Sequence, residues 1–503
     1  MGFLDSFIVG LQVAFVPTNL FFCFIGCLIG TLVGVLPGLG PTAVISLLLP
    51  MTFHLNPISG VIMLAGIYYG AMYGGSTTSI LVNIPGEAAS VVTCLDGYQM
   101  ARQGRAGPAL GMSAMGSFIA GTFGVLFLML LSPPLAELAL KFGPPEYFSL
   151  MILGLTLLGF LSSGSMLKSM AMAGAGLFLG TVGLDNLTGT PRFTFDSPTL
   201  MDGIDLVPIV MGLFGVAEVF SNLEQNIGAR DVLKTKIEHI LPTKLDWIRS
   251  KWALARGTII GFFLGILPGG GAIIASFASY ALEKRFSKTP EKFGTGMIEG
   301  VAGPEAANNS AASGAFIPML TLGIPANAVM AVLLGALIIH GVQPGPFLIK
   351  ERPDLFWGVI TSMYVGNVML LILNLPLIGL WVRALRVPYG ILFPLILLFC
   401  LIGSYSLKNN PWDMFTMAMF GIVGYFLRKY KYDTPSLVLA FVLGPIMEAS
   451  LRRSLLLSNG SPFVFFQRPI SAVFLVAALA LVLSSVLPAM KKKREAIIVE
   501  TED

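Results

Sequence analysis

The sequence predicts an all-α polytopic membrane protein built from two inverted-topology repeats, with re-entrant hairpins and discontinuous helices. Three observations predict it. The first is composition. Of 503 residues, 55% are hydrophobic and only 12% charged, about half the charged share of a soluble domain. Mean hydropathy is +0.81. A soluble core has no room for this much apolar surface, so lipid must cover part of it. The second is a proline–glycine break that occurs twice inside apolar stretches: GTLVGVLPGLGP from Gly30 to Pro41, and GFFLGILPGGGA from Gly261 to Ala272. The copies pair Gly30 with Gly261, Gly34 with Gly265, Pro37 with Pro268, Gly38 with Gly269 and Gly40 with Gly271. Irregular backbone in hydrocarbon survives only where it is buried in protein or lines a wet cavity. Breaks at matching places in two halves of a membrane chain point to a transport site. The third is the placement of charge. Arg230, Lys234, Lys236, Lys244, Arg249, Lys251 and Arg256 fall in one stretch, Lys284, Arg285, Lys288 and Lys292 in a second, and Lys491 to Arg494 in a third. By the positive-inside rule all three are cytoplasmic.

The elements follow in order. The N-terminal segment, 1–19, lacks the basic region of a cleavable signal peptide and is expected to be retained. Membrane repeat 1 occupies 20–222. From Ser6 to Gly86 there is no Asp, Glu, Lys or Arg, and no Lys or Arg precedes Arg102. The first break is followed by GGSTTSILVNIPGEAA (Gly74 to Ala89) and the second by GAFIPMLTLGIPANAV (Gly314 to Val329), with Pro85 on Pro325. PPLAELALKFGPPEYF (Pro133 to Phe148) is weakly similar to LPLIGLWVRALRVPYG (Leu375 to Gly390). Asp185 to Asp205 is rich in turn residues and acids; it reads as an ordered polar loop that docks a partner, gates the site or simply connects. A basic cytoplasmic linker covers 223–252 and membrane repeat 2 covers 253–465. A terminal transmembrane helix, 466–490, and a charged cytoplasmic tail, 491–503, complete the chain. Ala109 to Leu131 and Ser471 to Met490 are each long enough to span a hydrocarbon core, which takes about 20 residues. Roughly 11 to 13 crossings or half-crossings are expected on that length criterion.

The second break sits near the middle of an uncharged stretch, Gly257 to Leu282. Each arm is about 11 residues, roughly 16 Å of helix, or half a bilayer. Both arms run into basic loops, so a hairpin that enters and leaves on the cytoplasmic side satisfies both ends. A single Pro-kinked helix is the alternative. The first break has almost no charge around it, which suits the opposite side.

Four segments are dense in backbone-active residues: the two breaks, Tyr73 to Glu87, and Pro304 to Asn327. Half-helix N-termini suit carboxylates, while half-helix C-termini and unwound carbonyls suit a cation. Hydroxyls and amides between apolar helices must be hydrogen-bonded or wet. The candidate substrate-binding residues are therefore Gly38, Gly40, Ser76, Thr77, Thr78, Gly269, Gly270, Gly271, Asn308, Asn309 and Ser310. The candidates for coupling a cation are Asn83, Glu87, Glu305, Thr321 and Asn327, where Na⁺ is the metal such a site would take. Close helix packing is the alternative reading of the small polar residues. A helix-start carboxylate explains Glu87 and Glu305 equally.

Other classes find little support. No GxxxxGK[ST] cradles nucleotide phosphates, and the glycine runs lack a dinucleotide-fold context. The net charge of +4 belongs to loops, so no nucleic-acid partner is expected. Cys23, Cys27, Cys94 and Cys400 read as small buried hydrophobes rather than zinc ligands. His54 and His340 read as structural, and Arg102 and Arg105 as topology anchors. An intramembrane protease would need a Ser–His pair, for which Ser76 and His54 are the available residues. A non-transporting scaffold is the remaining alternative.

At these motifs the sequence resembles the large transmembrane subunit of the tripartite tricarboxylate transporters. The residues that carry the resemblance are GVLPGLGPTAVISLLLP (34–50), YYGAMYGGSTTSILVNIPGEAASVVTCLDGYQMARQGRAGPALG (68–111), GTPRFTFD (189–196), GILPGGGAIIASFASYALEK (265–284) and GPEAANNSAASGAFIPMLTLGIP (303–325). The similarity covers nearly the whole chain. It implies a secondary transporter of the bacterial inner membrane, not an enzyme, with no cofactor beyond Na⁺ or H⁺ as coupling ion. It implies uptake of citrate or related carboxylates delivered by a periplasmic solute-binding protein. It also implies a small transmembrane partner subunit of about four helices, each needing about 20 apolar residues to span. Broader similarity to ion-coupled carboxylate carriers suggests an elevator-like movement.

Overall fold

The computed structural model describes residues 2–36, 40–161, 165–185, 187–224, 239–269, 271–385 and 389–486. Helices dominate it. The first half contains α1 (Phe3–Ala14), α2 (Pro17–Val35), α3 (Pro41–Thr52), α4 (Pro57–Val82), α5 (Val91–Arg102), α6 (Ala106–Ala139), α7 (Pro144–Leu161), α8 (Met166–Leu179) and α9 (Leu206–Glu224). The second half contains α10 (Lys244–Ile266), α11 (Gly271–Phe286), α12 (Glu299–Gly314), α13 (Phe316–Leu322), α14 (Ala328–Ile339), α15 (Pro353–Asn374), α16 (Tyr389–Lys408), α17 (Pro411–Lys429), α18 (Thr434–Leu457) and α19 (Pro469–Val486). Among the described residues, seven helices are long and apolar enough to cross a membrane, and shorter apolar helices of 10–17 residues accompany them. The protein is a multi-pass membrane protein.

Local chemistry sets the helix ends. Proline opens α2, α3, α4, α15, α17 and α18, where its missing N–H costs nothing and its fixed φ suits the first turn. Asn56 caps α4 by accepting from the Ile58 N–H at 3.0 Å. Thr243 and Asp246 form a reciprocal capping box at the start of α10, satisfying two orphan donors. At its far end α4 stops on Asn83 with φ 59°, and α13 stops on Gly323 with φ 70°. Both adopt the left-handed conformation that terminates helices.

The centre of the molecule is two close helix pairs, α2 on α4 and α10 on α12. Glycine makes each approach possible. A methyl group at Gly26, Gly30 or Gly34 would strike the backbone carbonyls of Met63, Ile67 and Ala71 respectively. A methyl group at Gly257, Gly261 or Gly265 would strike those of Gly303, Ala307 and Ala311. The two sets are the same register, offset by 231 residues in the first helix and 240 in the second. The reverse contacts obey the same offsets: Gly74 faces the Thr31 carbonyl as Gly314 faces that of Phe262. Gly70 abuts the Cys27 carbonyl, and at the matching place Ser310 donates to the Thr258 carbonyl at 2.7 Å. The left-handed stops Asn83 and Gly323 are likewise 240 apart. With no hydrophobic force between helices in lipid, such small-residue faces supply the packing.

At the second break the chain turns back. Arg256 on α10 and Glu283 on α11 form a two-pronged ion pair, Nε to Oε1 at 2.7 Å and Nη2 to Oε2 at 2.5 Å. The residues that flank the uncharged stretch therefore sit side by side. Around the first break, α3 instead packs on α4, α14 and α16.

The polar segment between α8 and α9 is ordered. It holds a short antiparallel pair, β1 (Gly183–Leu184) with β2 (Pro191–Arg192). Ion pairs tie it down: Arg452 to Asp185 at 2.5 Å, Arg192 to Glu448 at 2.6 Å and Lys408 to Asp205 at 2.9 Å. The Leu187 N–H and the Arg452 guanidinium hold Asp185 below the usual carboxylate range. A depressed acid pKa adds stability above the ordinary Asp value of about 3.9 and loses it as pH falls below that. Hydrogen exchange in 183–192, corrected for intrinsic rates, is expected to stay constant from pH 8 to pH 5 and rise only below about pH 4. Loosening between pH 7 and pH 5 would contradict this anchor.

Candidate functional site

A cavity of about 310 Å³ opens where the broken segments meet. The N-termini of three helices border it: α3 through Gly40, Pro41 and Thr42, α11 through Ala272, Ile273 and Ile274, and α14 through Asn327, Ala328 and Val329. Tyr68 and Met72 of α4, Glu87, Gly269, Leu158, Phe214 and Asp433 complete much of the wall. Helix N-termini carry free N–H groups and positive dipole ends. Among the described residues, the lining contains two acids and no Lys, Arg or His.

The polar residues here are held by caps and bends. The Gly269 N–H donates to the Ala326 carbonyl at 2.9 Å, joining the second break to the entrance of α14. Gly269 has φ +119°, a conformation L side chains rarely adopt. Asn327 caps α14 by accepting from the Met330 N–H at 3.0 Å, and its Nδ2 donates to the Tyr68 hydroxyl at 3.1 Å. Glu87 caps the turn before α5: its Oε2 accepts from the Ala89 N–H at 2.8 Å. Its Oε1 has no hydrogen-bond partner, although the residue is only 8% exposed.

Behind the cavity lies a second polar cluster. Glu305 of α12 is fully buried. Its carboxylate accepts hydrogen bonds from Ser76 of α4 at 2.5 Å, from Ser113 of α6 at 3.1 Å and from Thr93 of α5. No Lys or Arg pairs with it among the described residues. Asn309 extends the cluster, donating to Ser117 at 2.7 Å and to the Asn308 side-chain oxygen at 2.5 Å. Asn308 Nδ2 has no partner. The cavity and the cluster share α4, because Gly75 lies against the Glu87 Cγ and Ser76 donates to Glu305.

The residues expected from sequence divide accordingly. Gly40, Gly269, Glu87 and Asn327 line the cavity. Gly271 begins α11 beside Gly265. Ser76, Asn308, Asn309 and Glu305 are in the buried cluster. Thr78 donates to the Val35 carbonyl at 2.6 Å and Ser310 to that of Thr258, so both sit in helix–helix interfaces. Thr321 bonds back to the Ile317 carbonyl at 2.7 Å. Thr77 is buried within α4, and Asn83 is an exposed helix stop. Gly38 and Gly270 lie outside the described residues, as do residues 225–238 of the basic linker and the whole tail. Tyr68, Thr93, Ser113, Ser117 and Asp433 were not singled out from sequence. The Ser–His pair of an intramembrane protease is not assembled: His54 is exposed before α4, whereas Ser76 is about 28 Å along that helix at 1.5 Å per residue and is committed to Glu305. No group of three or more metal-ligating side chains occurs among the described residues.

A family model for the tripartite tricarboxylate transporter TctA family matches residues 20–439. The chain belongs to the TctA family. The matched span contains every residue that lines the cavity. TctA-family proteins are membrane subunits of a tripartite transporter, which implies partner subunits. This TctA-family chain is 52% identical over 502 residues, the full length of both, to an uncharacterized 52.8 kDa protein in the TAR-I ttuC' 3' region of Agrobacterium vitis. It is 52% identical over 242 residues, 48% of its length and all of the relative, to an uncharacterized protein in the TAR-II ttuC' 3' region of the same organism. No solved structure matches.

Proposed function

We propose that the chain is the permease subunit of a binding-protein-dependent secondary transporter that imports citrate or related carboxylates together with Na⁺ or H⁺. The cavity carries this reading. Three helix N-termini offer N–H groups to carboxylates, yet Glu87 and Asp433 in the wall oppose an anion and no basic side chain offsets them. A carboxylate substrate enters such a site only with cations or protons, which makes co-transport a requirement of the electrostatics. Glu305, buried without a basic partner, is a second place for a coupling cation.

The architecture we propose is two inverted repeats with a re-entrant hairpin at each break. The shared packing register and the paired stops Asn83 and Gly323 support this, as does the Arg256–Glu283 pair at the mouth of the second break. Alternating access is then an elevator-like movement of the unit that carries the cavity. A periplasmic solute-binding protein supplies substrate on one side of the inner membrane, and a small transmembrane subunit completes the complex. The C-terminal tail is cytoplasmic by its basic residues.

The test is reconstitution with both partners and labelled citrate uptake under separate Na⁺ and H⁺ gradients. Uptake is expected with one of them and absent without a gradient. Gly269→Val, which forces a side chain onto a φ of +119°, is expected to abolish uptake with membrane expression retained. Failure of the assembled wild-type complex to move any tested carboxylate would reject the reading.

A further inference from the structure

Eight non-glycine residues have positive φ among the described residues, and three of them fall in the polar segment between α8 and α9: Phe193 at 51°, Phe195 at 47° and Asp196 at 57°. Bulky side chains are rare in that region because Cβ crowds the backbone. Such a conformation persists only where the surroundings over-determine it. Thr194, between the two phenylalanines, is buried, and its carbonyl accepts from the Ser197 N–H at 2.9 Å. Gly183 lies so close to Gly203 that an added methyl group would strike its backbone. Ion pairs of Asp185, Arg192 and Asp205 hold both flanks. The result is a stiff turn that drives its aromatic side chains outward. Phe193 is half-exposed and rests on the Phe178 ring with centroids 5.0 Å apart. Phe195 is 86% exposed, more than any other large hydrophobic side chain among the described residues.

An exposed phenylalanine in a membrane protein ordinarily faces lipid, so the depth of Phe195 is decisive. α9 and α17 pack side by side and are ion-paired at both ends, Asp205 to Lys408 at the polar segment and Glu224 to Lys429 at the linker. α17 has 19 residues, about 28 Å of helix, which matches a hydrocarbon core of about 30 Å. The two charged pairs therefore mark the edges of that core, and the polar segment lies beyond one of them, in water. Thr188, Thr190 and Asp196 are exposed there. The linker edge is cytoplasmic by its basic residues, which places the polar segment on the opposite face. A ring held in water on preordered backbone loses little freedom when it binds. Exposed aromatics of this kind anchor protein interfaces.

We propose that Phe195 is the anchor on which the periplasmic solute-binding protein docks. Its ring enters an apolar pocket of that partner, and Asp196 meets a basic or N–H group at the pocket's rim. This rests on the binding-protein-dependent reading above and names the contact that reading requires. The same segment walls a cavity of about 810 Å³ through Asp185, Arg192 and Asp205, so a docked partner releases substrate beside a space large enough to receive it.

The experiment titrates the citrate-loaded binding protein onto the purified membrane complex in nanodiscs. In parallel, citrate uptake into vesicles is measured against binding-protein concentration. Phe195→Ala is expected to weaken binding about 30-fold, the loss of a central aromatic anchor. The half-saturating concentration of binding protein is expected to rise by the same factor, with maximal uptake unchanged. Phe195→Tyr keeps the ring and is expected to stay within about threefold of wild type. Leu167→Ala is the control, since Leu167 is 78% exposed at the far end of α8; wild-type affinity is expected. Wild-type affinity in folded Phe195→Ala overturns the docking site. So does a fall in maximal uptake with affinity intact, which would make the segment a gate. Phe195→Cys carrying a polarity-sensitive fluorophore tests the membrane alternative: quenching by brominated lipid, with no response to the binding protein, overturns docking in favour of a lipid contact. A wild-type complex that takes up citrate but binds no binding protein overturns both the docking site and binding-protein dependence, and leaves carboxylate co-transport standing.

Discussion

Gly265→Val and its counterpart Gly34→Val are expected to remove most folded protein from the membrane. In each case the added side chain meets backbone, not a side chain that can swing away: the Ala311 carbonyl for Gly265, and the Ala71 carbonyl with the Gly75 nitrogen for Gly34. Overpacking in a close-packed interior costs about 1–3 kcal/mol where side chains relax. Two facing helix backbones relax less, so the cost falls at or above the top of that range. Separating them also disturbs the hydrogen bonds around the interface, such as Ser310 to the Thr258 carbonyl and Thr78 to the Val35 carbonyl. Gly174→Ala is the control. That glycine is exposed on α8 with no atom within 4 Å of the added carbon, and alanine is the better helix former. The measurement is monodisperse yield and melting temperature in detergent for the three variants. Wild-type values for Gly265→Val would refute the backbone-contact account of the central pairs.

These glycines explain why so much of the fold was legible. The paired motifs reported a real constraint, because only glycine permits the approach and the chain needs it at four-residue intervals in both halves. The end of α4 was not legible in the same way: Asn83, a cation-coupling candidate by sequence, is the left-handed stop that Gly323 matches in the other half. The site was less legible. Ser76, Thr78 and Ser310 looked alike as polar residues in apolar helices, yet one bonds a buried carboxylate and two bond backbone across an interface. Sequence carries no sign of that difference, because the acceptor comes from a distant segment. Thr93 and Ser113 were missed for the converse reason. Each is one hydroxyl in an apolar run, with no local pattern, and becomes meaningful only when α5 and α6 bring it to Glu305. Tyr68 was hidden among apolar aromatics until its hydroxyl was seen to reach Asn327.

Glu305 should separate structure from transport most sharply. Three hydroxyls from α4, α5 and α6 converge on its carboxylate. Glu305→Ala deletes all their acceptors at once. A buried hydroxyl left without a partner costs about 1–3 kcal/mol, and a cavity is added to that, so this variant is expected to lose folded protein. Glu305→Gln is different. It keeps the shape and one acceptor oxygen, and a serine or threonine hydroxyl rotates to accept from the new amide. It is expected to fold with wild-type yield and elution. If the carboxylate takes up a cation or proton during the cycle, removing its charge costs about 3 kcal/mol, within the range for breaking a buried charge pair, or about 100-fold. Uptake by Glu305→Gln in the reconstituted complex is therefore expected to fall about 100-fold, with the folded fraction unchanged. A structural role alone predicts the opposite pattern, in which uptake stays within about threefold of wild type whenever the protein folds. Glu305 would then be only the acceptor that orients three hydroxyls. Coupling would pass to Glu87, whose free oxygen already lies beside the cavity.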